Sequence, residues 1–426
     1  MVSNFFIIKN TIVNITGIIL FRIVLDLNYA TIISPLFIST GFVDESNAFS
    51  MVLSWITLLI LAPFIISIYK TPKLSANIIV LLFLVFYVPM TSIMRFIPMD
   101  TKFQALFMIY WIILLTAYIL IPSFKLSKEA KRNSFALWFV LLILSVSVIY
   151  VSGRYFGFRI HFGLMDVYDL RNEERSLNLP IILKYLLPAA ANILPVLLVY
   201  FLFKRKILIA ILISFVILLN FSIGGHKDVI FKLVLCFIGY WLYNRNRIVL
   251  FSWGLSLISF LSLIEFYFTG TFFIANVAIR RVFYIPALLN YNYYNYFTIH
   301  EPDYFRQGII GWLGISSPYK VPIAKIIGYD YSGNIDTNAN NGLFSDAYLN
   351  FNVLGVLIFP VILIVIFKLF DFCSKGLDPK LWILPIVAAV ISFGSSPFTT
   401  VLLTNGILLL LITLYFMPRS KISFIQ

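Results

Sequence analysis

Three polar stretches and one short polar turn interrupt an otherwise apolar chain, and their side chains are the ones able to do chemistry. Residues 153–180 open GRYFGFRIHFGLMDVYDLRNEERS. They hold Arg154, Arg159, Arg171 and Arg175 beside His161, Asp166, Asp169, Glu173 and Glu174. Guanidinium groups stay charged and match phosphate oxygens two at a time, so this stretch reads either as an anion site or as arginine–acid pairs within a loop. The turn FSIGGHKDVIF places Lys227 at a helix start, where free N–H groups also favour an anion. Further on, Arg280 and Arg281 precede a run of rings that includes Phe283, Tyr284, Tyr291, Tyr293, Tyr294, Tyr296 and Phe297. Flat rings with hydroxyls suit the face of a sugar, although tyrosines also form plain interfacial belts. His300, Glu301 and Asp303 follow, with Arg306 nearby, as candidate proton acceptors.

The third stretch, NIDTNANNGLFSDAYLNFNVLGVLIFPVIL at 334–363, turns from asparagines to membrane-grade apolar residues. NANNG is turn chemistry, with Asn341 as a helix N-cap. Asp346 and Asn350 are four apart and share a helix face. Such a doorway suits a charged or hydroxylated substrate handled at a membrane surface; it also suits a well-capped span.

The elements that position these groups follow from composition. Of 426 residues, 61% are hydrophobic and 12% charged, more apolar surface than a soluble domain of this length can hide. The chain reads as an all-α polytopic membrane protein, one integral domain over 1–426, without the alternating pattern of an outer-membrane barrel. About twelve spans are expected, near 12–38, 51–69, 76–94, 103–122, 134–152, 181–203, 207–223, 229–243, 248–276, 351–370, 381–394 and 401–417. The first apolar stretch reads as a retained anchor. The formal charge of +14 gathers on the side holding both termini, through groups such as Lys70, Lys73, Lys204, Arg205 and Lys206, which makes that side cytoplasmic. Scattered through short loops, these residues reflect topology and not nucleic-acid binding. The long connections, 153–180 and 277–350, then lie outside, the second just before the last three spans. Cys236 and Cys373 have neither disulfide nor metal spacing, so no metal or cofactor is expected.

Taken together, DVYDLR, GGHKD, IRRVFYIP and NANNGLFSDAYLNFNVLGVL, with the layout of spans, resemble the bacterial O-antigen and capsule repeat-unit polymerases, the Wzy family. The most specific match is the last, where Gly342, Asp346, Ala347, Tyr348 and Gly355 fit and Asn352 stands in place of a usual glycine. The resemblance implies a GT-C-like, metal-independent glycosyltransferase in the bacterial inner membrane, working on its outer face. Donor and acceptor would both be oligosaccharides on undecaprenyl pyrophosphate, which leaves as the acceptor hydroxyl attacks. Membrane lipids and a chain-length regulator are the partners implied. Pyrophosphate contacts are then expected from Arg280, Arg281, Lys227, Arg171 and Arg154. Glycan contacts are expected from Tyr284, Tyr291, Tyr294, Asn340 and Asn341, and a base from Glu301, Asp346, Asp166 or His300. Related glycan ligases carry a His near the position of Asn341, absent here. A flippase or transporter would need ionisable groups along its spans, and few exist: Arg22 with Asp26, Lys184, Lys232 and Glu265.

Overall fold

The computed structural model describes the chain apart from residues 1, 125–133, 162–169, 171–172, 175, 226–228, 230–231, 235–236, 238–248, 335–336, 341 and 420–426, and gives backbone alone at 2–10. Every regular element among the described residues is helical. Ten helices among those residues are long and apolar enough to cross a bilayer, which makes this an all-α, multi-pass membrane protein. Of the two further spans expected, 229–243 lies largely outside the described residues, and 381–394 is the shorter apolar helix Pro379–Ser395. The chain divides into two compact units. One comprises 1–122, 247–367 and 393–398; the other comprises 123–246, 368–392 and 399–426.

Local chemistry sets the helix limits. Asn47 and Ser50 form a reciprocal capping box at the start of Ala48–Tyr69. Asp100 caps Thr101–Leu120 by accepting from the Lys102 N–H at 3.1 Å. The span expected over 248–276 stops earlier, at Thr269, where Gly270 turns the chain at φ +67°. The Glu265 carboxylate explains the stop. It accepts from the Phe273 N–H at 3.0 Å, the Ile274 N–H at 2.7 Å and the Thr271 hydroxyl at 3.0 Å, so it caps the helix that follows. That following helix runs into 277–350, the long connection expected outside the membrane. Residues 275–284 are π-helical and Ile285–Ile299 α-helical, with Ile323–Ser332 a further helix.

In the first unit, three π-helical segments occur, Tyr29–Ile33, Phe83–Tyr87 and Ala275–Tyr284. Tyr29 stacks on Phe96 at 4.3 Å and meets Tyr284 edge to face at 5.1 Å. Beside them Arg22 is fully buried and ion-paired to Asp26. In the second unit, the Asn192 amide donates to the Asn405 carbonyl at 2.8 Å and accepts from Lys232 at 2.7 Å, which satisfies a cation inside a span.

The helix expected after the Asn-rich doorway runs Phe344–Ser374, ahead of the span expected from 351, and is broken inside. Asn352 has φ +47° and ψ −131°, a conformation that favours glycine. Two hydrogen bonds offset the strain when the Asn352 amide is oriented with its nitrogen toward the carbonyls of Phe297 and Tyr348, each 3.2 Å away, as those two acceptors require. Asn352→Ala should therefore cost about 2 kcal/mol, losing both bonds while keeping the strain. Asn352→Gly should cost less, because it relieves the backbone. Equal losses in denaturant titrations of the two variants would remove the strain from this account.

Candidate functional site

The helical run capped by Glu265 carries five of the expected site residues, Arg280, Arg281, Tyr284, Tyr291 and Tyr294. Arg280 lies over the Phe37 ring at 4.2 Å and donates from Nε to Asn276 Oδ1 at 3.0 Å. Burial lowers its pKa somewhat, Tyr331 raises it and Arg281 lowers it again; a guanidinium stays charged throughout. Arg281 is exposed and makes no hydrogen bond or ion pair among the described residues. The next turn anchors the helix. The Tyr284 hydroxyl donates to the Leu25 carbonyl at 2.7 Å and lies 3.0 Å from Ser92 Oγ.

The expected sugar platform is mostly packing. Tyr284 is 0% exposed, so neither of its faces is open to a glycan. Tyr294 is buried too, and its hydroxyl donates to Asp100 Oδ2 at 2.6 Å. Burial pushes the Tyr294 phenol up, while that hydrogen bond, and then the Lys102 N–H, hold Asp100 below its ordinary value. Tyr291 is half-buried and stacks against Tyr294 at 6.4 Å, leaving it the one expected glycan tyrosine with a partly open ring. Sequence reading passed over Tyr296 as a base-positioning group. His300 stacks on its ring at 3.9 Å, with Nδ1 2.8 Å from the Tyr296 carbonyl. A carbonyl only accepts, so Nδ1 carries the proton and Nε2 is left as the acceptor.

The carboxylates separate by environment. Asp346 is 2% exposed, accepting from the Asn350 amide at 3.0 Å and from the Phe398 N–H at 2.7 Å. Both its oxygens accept, so Asp346 ties the start of its helix to Phe398. The shared face with Asn350 is present, and Asn350 in turn accepts from the Phe305 N–H at 2.7 Å. Asp303 is likewise an internal acceptor, for the Gln307 N–H at 2.8 Å and the Ser317 hydroxyl at 2.6 Å. Glu301 is open, its side chain 58% exposed and paired with Arg306 at 2.7 Å.

The Asn-rich stretch is tied down through its backbone. The Tyr293 hydroxyl donates to the Ala339 carbonyl at 2.8 Å, and the Ala339 N–H to the Ala324 carbonyl at 2.8 Å. A Cβ on Gly342 would meet the Phe393 carbonyl oxygen at 2.3 Å, so only glycine fits there. Asn290 Oδ1 accepts from the Ser345 N–H at 3.2 Å, capping work expected of Asn341. Asn340 is exposed, and Asn341 lies outside the described residues.

The Arg280–Arg281 pair and the Glu301–His300 pair do not meet. Ile285–Ile299 separates them, and at ~1.5 Å per residue this helix alone is about 20 Å long. One anomeric centre cannot touch both ends. An extended oligosaccharide can. In the second unit, Arg154 is exposed with its guanidinium 5.9 Å from the Tyr155 ring, and Arg159 pairs with Glu173 at 2.5 Å. Asp166, Arg171 and Lys227 lie outside the described residues. Among the described residues, no three His, Cys, Asp or Glu side chains come together as a metal site. Neither protein-family models, curated proteins nor solved structures match this chain.

Proposed function

We propose that this chain is a polysaccharide polymerase, a glycosyltransferase that joins oligosaccharide repeat units carried on undecaprenyl pyrophosphate at the outer face of the inner membrane. The observation that carries this reading is the adjacent pair Arg280–Arg281, one guanidinium shielded over Phe37 and the next open and unpaired among the described residues. An adjacent, partly desolvated pair of cations suits the charge that builds on a departing pyrophosphate. The acceptor hydroxyl attacks the anomeric carbon of the growing chain. The bond from that carbon to the pyrophosphate oxygen breaks, and the electron pair leaves with the lipid. A phosphate leaving group asks little of a general base. Glu301, His300 and Tyr291, down the helix, are then glycan contacts and not proton acceptors for the same step.

Cells lacking the protein test this directly. They should accumulate lipid-linked single repeats on the outer face and lose every longer chain. Long chains persisting without it would contradict the assignment. Single repeats trapped on the inner face would point to transport instead.

A further inference from the structure

The first, third and π-helical segments of the first unit meet at a charge cluster that the function proposed above does not use. Asp26 accepts from Arg95 Nη1 at 3.0 Å and from Ser92 Oγ at 2.6 Å, and it is ion-paired to Arg22. Arg22 is fully buried, and the rest of its fork is spent on Thr91 Oγ1 at 3.2 Å, the Thr91 carbonyl at 2.8 Å and Ser54 Oγ at 3.1 Å. One carboxylate therefore serves two guanidiniums. Arg22 alone balances Asp26, so Arg95 is a surplus positive charge in a poorly screened place.

Arg95 differs from Arg22 in being partly exposed. Its side chain is 29% exposed, while its Nε is buried without a hydrogen-bond partner among the described residues. Glu45 is nearby in the chain path, its N–H donating to the Phe96 carbonyl at 2.8 Å, yet it forms no ion pair with Arg95 among the described residues. Arg95 lies one helical turn beyond Ser92, and Arg281 one turn before Tyr284, with Ser92 and Tyr284 3.0 Å apart.

We propose that Arg95, held in place by Asp26, is an anion-binding residue that takes a lipid-borne phosphate. Asp26 fixes Nη1 at one corner of the fork and Arg22 balances the carboxylate, so the exposed part of the guanidinium is held in place for an anion while Nε stays buried. Two sources share this chemistry, a phospholipid headgroup and the pyrophosphate of the carrier lipid, and the second rests on the function proposed above.

Native mass spectrometry of the purified chain with undecaprenyl pyrophosphate, and separately with phosphatidylglycerol, tests the assignment. Arg95→Gln should weaken binding of one or both lipids about ten-fold, and Arg95→Lys should fall between it and the parent protein. Loss for undecaprenyl pyrophosphate alone identifies the carrier; equal loss for both identifies headgroup phosphate. Unchanged affinity for both lipids in a folded Arg95→Gln protein would overturn the proposal. If that variant does not fold, phenylglyoxal labelling of the unaltered chain answers the same question. Protection of Arg95 by saturating lipid supports the site, and no protection by either lipid overturns it. A protein that binds lipid through Arg95 yet builds no polymer would leave this inference standing and remove the polymerase.

Discussion

Arg280→Ala is expected to eliminate long glycan chains while leaving the protein at its normal level in the membrane. The two effects separate because Arg280 contributes little to folding. Its contacts are one hydrogen bond to Asn276 and the Phe37 ring, and it is only half-buried. Its contribution to the reaction is larger. A preorganised charged donor facing a developing oxyanion accounts for about 100-fold or more in rate, and Arg281, exposed and less constrained, would not restore it. Chain-length profiles on gels, alongside immunodetection of membrane protein, measure both quantities. Unchanged chain lengths at normal protein levels would remove Arg280 from the site.

The second large effect is structural. Because the chain breaks at Phe351–Asn352, Gly355 folds back against Ala347. A Cβ at Gly355 would lie 1.9 Å from the Ala347 carbonyl oxygen, a backbone atom that cannot swing aside. Gly355→Ala should therefore cost about 3 kcal/mol or more, at or beyond the upper end for overpacking. Ala347 adjoins Ser345 and Asp346, which tie the helix start to Asn290 and Phe398, so the loss would spread into the doorway. Greatly reduced folded protein, seen as an early aggregation temperature in detergent, is the expected reading. Stability equal to the parent would mean that the two halves of the helix are further apart.

The spans were legible because an apolar run of about 20 residues has few other uses. Two local pairs were legible for a similar reason: Arg22 with Asp26 and Asp346 with Asn350 sit one helical turn apart, a spacing that sequence shows directly. What sequence concealed was distance across the fold. Arg95 reaches Asp26 from a different span, and nothing in either segment announces the partner. The helix over 275–299 was hidden by its composition, since asparagine and tyrosine are weak helix formers and its stability comes from Tyr284 and Tyr293 buried in the core. Its discovery changes the site most. In a loop, Arg281 and Glu301 could have met over one sugar; on a rigid helix they cannot. The break at Asn352 was concealed too, because the flanking residues are good span formers and only the backbone angles reveal it. Gly355 was visible as part of a resemblance, but its reason, a backbone in contact with it, required the structure.

The central claim is that this protein extends a glycan from lipid-pyrophosphate-linked repeats. The most direct measurement supplies the purified chain in liposomes with such repeat units and no nucleotide sugar, then resolves the products by size. The account predicts a ladder rising by whole repeats, with undecaprenyl pyrophosphate released in step. Intact repeat units and no ladder, with folded protein and the glycan of its own host, would contradict it.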